Sequence, residues 1–205
     1  MKTLRPHDLV WLAERSALEG VTEAWVEEIW HPGLPVVVRR DVNPNGRVPV
    51  GIRGLKREQR AAAWVAPEHV VRVVSPEELV DTQTLVRSPF ITQPPVQVAF
   101  QLAQQRWPWV WGITGSSGYS LATGIPVLHA ASDLDLMIRA PQPLAHEALL
   151  RWQQQISGAL CRVDTQVNVP QGGFALSEWL RDGRVLLKTN RGPQLVSDPW
   201  FEEIK

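Results

Sequence analysis

Two carboxylates, Asp133 and Asp135, stand two residues apart in the segment Ser132-Asp-Leu-Asp-Leu136. On a strand, side chains alternate between faces, so both acids project from one face and Leu134 and Leu136 from the other. Two like charges on one face repel each other. A hard divalent cation such as Mg²⁺ (or Mn²⁺) relieves that repulsion, because it prefers carboxylate and phosphate oxygens. Just upstream, Gly112-Ile-Thr-Gly-Ser-Ser-Gly118 reads as a strand running into a glycine-serine turn at a helix start. Backbone N–H groups at such a start, with no bulk at Gly115, can hold an oxyanion beside Ser116. A metal dyad next to a phosphate cradle suits phosphoryl or nucleotidyl transfer. The plainer reading is a tight turn and a helix cap. It explains the glycines but not two acids among apolar neighbours.

A third carboxylate, Asp164, lies in Arg162-Val-Asp-Thr-Gln-Val-Asn168, which reads as a later strand. The order Gly-Ser turn, Asp-x-Asp, lone strand-borne Asp resembles the nucleotidyltransferase superfamily that includes DNA polymerase β. The resemblance implies that Asp133 and Asp135 hold the metals and that Asp164 completes the metal site activating the attacking hydroxyl. It also implies that Gly115 and Ser116 contact a triphosphate. The interval from Ser116 to Asp133 is longer than the superfamily usually shows, which requires an inserted turn or loop around Thr123-Gly-Ile-Pro126.

The elements that must carry these residues suggest an α/β protein, more narrowly an α+β chain with a mixed sheet. Two parts are expected: a smaller N-terminal α+β lobe over 1–80, a possible substrate clamp, and a nucleotidyltransferase-like catalytic lobe over 81–205. In the first, Asp8–Glu19 reads as a helix stopped by Gly20, and Thr22–Trp30 as a second, short one. Val36–Arg40 and Val48–Ile52 read as a hairpin around Asn43-Pro-Asn-Gly46, and Val70–Val74 as a third strand. Ser75-Pro76-Glu-Glu78 carries the signals of a helix start. In the second, helices are expected over 96–105, 117–123, 144–160 and 172–181, and strands over 109–113, 134–139, around Asp164, and over 185–188.

Composition narrows the class. The chain has 205 residues with 21 basic and 21 acidic side chains. Zero net charge argues against a general nucleic-acid binder, which normally carries a basic surplus. Cys161 is the one cysteine, which excludes an internal disulfide and suits a reducing compartment. No signal peptide and no bilayer-length apolar run is evident, so a cytoplasmic location and no membrane partner are expected. Ten tryptophans are scattered along the chain. Core packing is the favoured explanation, with Trp107-Pro-Trp109-Val-Trp111 leading into the turn and able to bring a ring near a nucleotide.

Two basic stretches have a functional and a bland reading. Arg53, Arg57 and Arg60, in Gly51-Ile-Arg-Gly-Leu-Lys-Arg-Glu-Gln-Arg60, are a phosphate or ribose clamp, or else a solvated loop and helix face. Lys188 can reach a leaving pyrophosphate, or is a solvated strand end. The five histidines lack metal-ligand spacing, and His129 lies four residues before Asp133.

Over nearly its full length the chain also resembles the malonate decarboxylase holo-acyl-carrier-protein synthase family, also called phosphoribosyl-dephospho-CoA transferase. The resemblance rests on Arg5-Pro-His-Asp-Leu-Val10, Val48-Pro-Val-Gly-Ile-Arg-Gly54, Trp111-Gly-Ile-Thr-Gly-Ser-Ser-Gly-Tyr119, Leu121-Ala-Thr-Gly124, Ser132-Asp-Leu-Asp-Leu136, Asp164-Thr-Gln-Val167, Gly172-Gly-Phe-Ala-Leu-Ser-Glu-Trp179 and Leu187-Lys-Thr189. It implies transfer of a prosthetic group from 2′-(5″-triphosphoribosyl)-3′-dephospho-CoA to a serine of the apo acyl-carrier subunit of malonate decarboxylase, with pyrophosphate released. Gly115, Ser116 and Ser117 would then orient the β- and γ-phosphates. The base stays open among Asp164, a bound hydroxide and solvent. Two alternatives remain: another nucleotidyltransferase, either ATP-using or serving citrate lyase, and a non-catalytic scaffold, against which three intact acids argue.

Overall fold

A computed structural model describes residues 3–201, and the chain divides into two compact units, Met1–Ser75 and Pro76–Lys205. The first holds β1 (Leu9–Leu12), α1 (Trp25–Ile29), β2 (Val36–Val38), β3 (Val48–Arg53), β4 (Arg60–Val65) and β5 (Val70–Val74). Its five strands form an antiparallel sheet in the order β4-β3-β2-β1-β5. Val10, Leu12, Trp30, Val36, Val50, Ile52 and Val65 pack into its core.

The helix expected over Asp8–Glu19 is instead β1 followed by a short 3-10 turn, Arg15–Ala17. Leu9 is laddered to Val37 on one side and to Val74 on the other. Consecutive residues can be buried only where both sheet faces are covered. Val10 and Leu12 face the core, and Trp11, on the other face, lies under Arg72 at 4.3 Å and donates its indole N–H to the Gly33 carbonyl, so all three are buried. The apolar run therefore mimicked a helical stripe. The β2–β3 hairpin is present, with Val38 opposite Val50. The helix start expected at Ser75 is only a 3-10 turn, Pro76–Leu79.

The second unit begins with that turn, then α2 (Thr82–Arg87) and α3 (Pro94–Ala103). Asp81 caps α2, its carboxylate accepting from the Thr84 N–H at 2.8 Å. There follow β6 (Val110–Thr114), α4 (Gly115–Thr123), β7 (Leu134–Arg139), α5 (His146–Ser157), β8 (Val163–Val169), β9 (Gly172–Ala175), α6 (Leu176–Asp182), β10 (Val185–Thr189) and β11 (Gly192–Val196). The sheet order is β11-β10-β9-β8-β7-β6. Only β7 and β8 run parallel, joined through α5; the other neighbours are antiparallel. The result is a mixed sheet with helices, as expected.

One face of this sheet is apolar. Leu134, Leu136, Ile138, Val167, Phe174 and Leu187 are buried on it, and α5 contributes Leu149, Trp152 and Ile156 at helical spacing. The Trp152 indole N–H donates to Thr165 Oγ1 at 3.0 Å, which satisfies both buried polar groups. Trp107, Trp109 and Trp111 gather around the Trp152 ring, with centroids 4.9, 5.9 and 5.4 Å away. Trp109, Trp111 and Trp152 are buried core and Trp107 is half-buried at its edge, beneath Arg151, in line with the packing reading. Trp111 pairs with Ile138 and so points to the face opposite Thr114 and Asp135.

The segment expected as a helix over 172–181 is split into β9 and α6. The two glycines belong to a central strand because neighbours fill the space beside them. A Cβ on Gly172 would lie 2.5 Å from the Lys188 carbonyl oxygen.

Candidate active site

The site is built where β6 stops and α4 starts with no residue between them. That abrupt reversal needs a left-handed residue, and Gly115 supplies it with φ +64°. A Cβ there would stand 2.1 Å from Asp135 Oδ2. Only glycine fits, both for its backbone angle and because the Asp135 carboxylate lies against it.

Register fixes the rest. Thr114 is opposite Asp135 across β6–β7, and Asp135 is opposite Asp164 across the parallel β7–β8 pair. Directly opposed residues project from the same face. Asp135 and Asp164 are therefore lateral neighbours on the polar face of the sheet, with the Gly115-Ser116 turn beside them. Asp133 precedes β7 by one residue, where the Leu134 N–H donates to the Arg162 carbonyl at 2.9 Å. Its charge is felt at Cys161, whose thiol is pushed up first by burial and then by Asp133. Asp135 is half-buried, Asp133 exposed, and the Asp164 side chain is 50% exposed.

Arg162 is a residue that motif reading passed over. Its guanidinium reaches both oxygens of Asp164 at 3.3 Å. Spacing held the signal: Arg162 stands one residue before β8, two before Asp164, so extended backbone puts both on the same side. Among the described residues no three carboxylate, imidazole or thiol side chains already converge as a cation cage. The donor set nonetheless fits a hard divalent ion, since three carboxylates sit at adjoining strand ends at or beside one face. Arg162 has to release Asp164 for all three to serve.

The turn's serines differ. Ser117 is 1% exposed, and its hydroxyl is sealed inside without a hydrogen-bond partner. Its backbone N–H, not its side chain, is what it can offer an anion at the head of α4. Ser116 is half-buried. Ser120 is fully buried, and its hydroxyl accepts from the Val127 and Leu128 N–H groups at 3.1 Å each. This pins down the long α4–β7 connection, residues 124–133, the insertion that the spacing required. At its end His129 and Ser132 close a turn, with reciprocal bonds of 2.9 Å, immediately before Asp133.

Lys188 lies on β10 opposite Gly173, which is opposite Asn168. It shares the polar face with Asp164 but stands two strands away. In the N-terminal unit, Arg53 and Arg60 face each other across β3–β4, and Arg57 is in the exposed loop between them. The helix face suggested for Arg60 is a strand. Arginines set directly opposite repel unless an anion or carboxylate intervenes.

Comparison with known proteins gives a consistent picture. The family model described as Phosphoribosyl-dephospho-CoA transferase MdcG C-terminal domain matches residues 84–199, and its N-terminal counterpart matches residues 5–76. A phosphoribosyl-dephospho-CoA transferase of Klebsiella pneumoniae is 64% identical over 201 residues, covering 98% of both chains. Enzymes of the same name from Pseudomonas syringae pv. tomato and Azotobacter vinelandii are 43% and 40% identical, each over at least 92% of both chains. No solved structure matches the chain.

Proposed function

The chain belongs to the phosphoribosyl-dephospho-CoA transferase family, and from that premise we propose the reaction in full. The donor is 2′-(5″-triphosphoribosyl)-3′-dephospho-CoA. The acceptor is a serine hydroxyl on the apo acyl-carrier subunit of malonate decarboxylase. A new phosphodiester bond forms to the donor's α-phosphorus, and pyrophosphate leaves. The observation that carries this reading is 64% identity across 98% of both chains to an enzyme of that name.

The geometry supports a location for the chemistry. Asp133, Asp135 and Asp164 would hold Mg²⁺ or Mn²⁺, which supplies charge neutralisation on the triphosphate and lowers the pKa of an attacking hydroxyl. The left-handed Gly115 opens the first turn of α4, so its N–H groups and the Ser116 hydroxyl can face phosphate oxygens. Asp135, packed against Gly115, fixes the distance between the acids and that cradle. Arg162 holds Asp164 in the resting protein and, once displaced, is a free guanidinium beside a phosphate-rich substrate. Arg53, Arg57 and Arg60 form an anion-binding hairpin within their own unit.

The test uses purified protein, donor, Mg²⁺ and apo carrier subunit, read by intact mass. The expected result is a mass gain on the carrier equal to the phosphoribosyl-dephospho-CoA group. A parallel incubation with ATP in place of the donor that adds an adenylyl group to the carrier, with no gain from the donor, would establish the ATP-using alternative.

A further inference from the structure

The first unit separates its charges. Val50, Ile52, Ala61, Ala63 and Val65 face its core, and α1 packs against that core through Val26 and carries Glu27 and Glu28, both exposed. The alternate residues of β3 and β4 project away from the core: Arg53 opposite Arg60, Gly51 opposite Ala62, Pro49 opposite Trp64. Arg39 lies over the Trp64 ring at 5.3 Å and is paired with Asp41. From residue 39 to residue 60 there are seven basic side chains and two acidic ones, Asp41 and Glu58. The turn that joins β3 to β4 is closed by its own hydrogen bonds. The Gly54 N–H donates to the Gln59 carbonyl at 2.9 Å, the Gln59 N–H to the Lys56 carbonyl at 3.1 Å, and the Lys56 N–H to Gln59 Oε1 at 3.0 Å. Leu55 is left 85% exposed at the tip, with Lys56, Arg57 and Arg60 exposed around it.

We infer that the β3–β4 hairpin is the docking surface for an acidic face of the acceptor protein: Leu55 enters an apolar dimple, and Lys56, Arg57 and Arg60 pair with carboxylates around it. This rests on the protein acceptor proposed above. Charge is the first argument. The whole chain sums to zero, so the attraction is local to this hairpin and selects a partner surface of opposite sign. Size is the second. The outward ladder from Trp64 to Arg60 runs about 13 Å, with the turn beyond it. That is longer than one phosphate group and suits a protein face. Leu55 is the third. A phosphate gains nothing from a leucine, whereas an apolar side chain ringed by cations matches the apolar centre and polar rim of a protein interface. The hydrogen-bonded turn holds the leucine in place beforehand, so little ordering cost falls on binding.

The full chain is titrated calorimetrically with the apo carrier subunit, and separately with dephospho-CoA. Leu55→Asp and Arg57→Glu alter exposed groups at the turn and leave the core intact. Each is expected to weaken carrier binding at least about tenfold, and Arg57→Lys should recover most of the lost affinity. Raising the salt should weaken wild-type binding of the carrier. Leu55→Asp should bind dephospho-CoA as the wild type does, and in the transfer assay its KM for the carrier should rise with kcat preserved. Wild-type carrier affinity in both variants, or no binding of the carrier by the wild-type chain, overturns the inference. So does an Arg57→Glu variant that loses dephospho-CoA binding but keeps the carrier, which would make the hairpin a clamp on the donor. Intact-mass transfer by the wild-type chain reports separately on the proposed function. Absent transfer with carrier binding still sensitive to Leu55→Asp contradicts that function while supporting the docking surface.

Discussion

At the scale of single residues, the site depends on one contact, the Asp135 carboxylate against Gly115. Replacing Gly115 by alanine forces a non-glycine residue into φ +64° and drives its Cβ into Asp135 Oδ2. The backbone cost alone is about 1–2 kcal/mol. Urea denaturation of Gly115→Ala should show that loss, and transfer should fall on the order of a hundredfold because the acid is displaced. Asp135→Asn keeps the shape and removes the charge. Its stability should stay near wild type, while its turnover should drop about a thousandfold or more, roughly 4 kcal/mol of transition-state stabilisation. Wild-type turnover in that variant would remove Asp135 from the metal site. Arg162→Ala separates two roles. Freed of its ion pair, Asp164 should bind Mn²⁺ more tightly in the absence of donor, by paramagnetic resonance titration. The pair is exposed, so stability should barely change.

At the scale of elements, Asp135 and Asp164 are neighbours because β7 and β8 run parallel in a register that sets them opposite each other. Periodicity in the sequence located both strands, and the face assignment of Leu134 and Leu136 followed from alternation alone. Register was not legible, since it is set by how α5 returns the chain, a non-local matter. The elements misread were those where tertiary context overrides local pattern. Leu9–Leu12 is covered on both faces, Val10 and Leu12 by the core and Trp11 by Arg72, so its apolar run has no strand-like alternation. Gly172-Gly173 resembles a helix boundary, but it is a strand whose missing side chains make room for Gln166, Asn168 and Leu187. Arg162 went unnoticed because a lone arginine two residues from an acid has no motif. The α4–β7 connection gives an element-scale prediction. Ser120→Ala removes the acceptor of two backbone N–H groups in the 124–133 segment. Unfolding should become easier by about 1–3 kcal/mol, and hydrogen exchange at Val127 and Leu128 should speed up.

At the scale of the whole molecule, the charge balance argues against a nucleic-acid substrate. Its 21 basic and 21 acidic side chains cancel, so no long-range field draws it to a polyanion. Fluorescence anisotropy with single- or double-stranded DNA should show no salt-dependent binding at micromolar protein. Among the described residues no helix is long and apolar enough to cross a membrane. Each unit has its own sheet and its own buried residues, and the three acids and the Gly115-Ser116 turn all belong to the second. The most direct test of the account is intact-mass analysis of the apo carrier subunit after incubation with donor and Mg²⁺. With wild-type protein the carrier should gain one phosphoribosyl-dephospho-CoA group on serine, and with folded Asp135→Asn or Asp164→Asn it should gain nothing detectable. Full modification by either variant would contradict the claim that these opposed carboxylates carry the reaction.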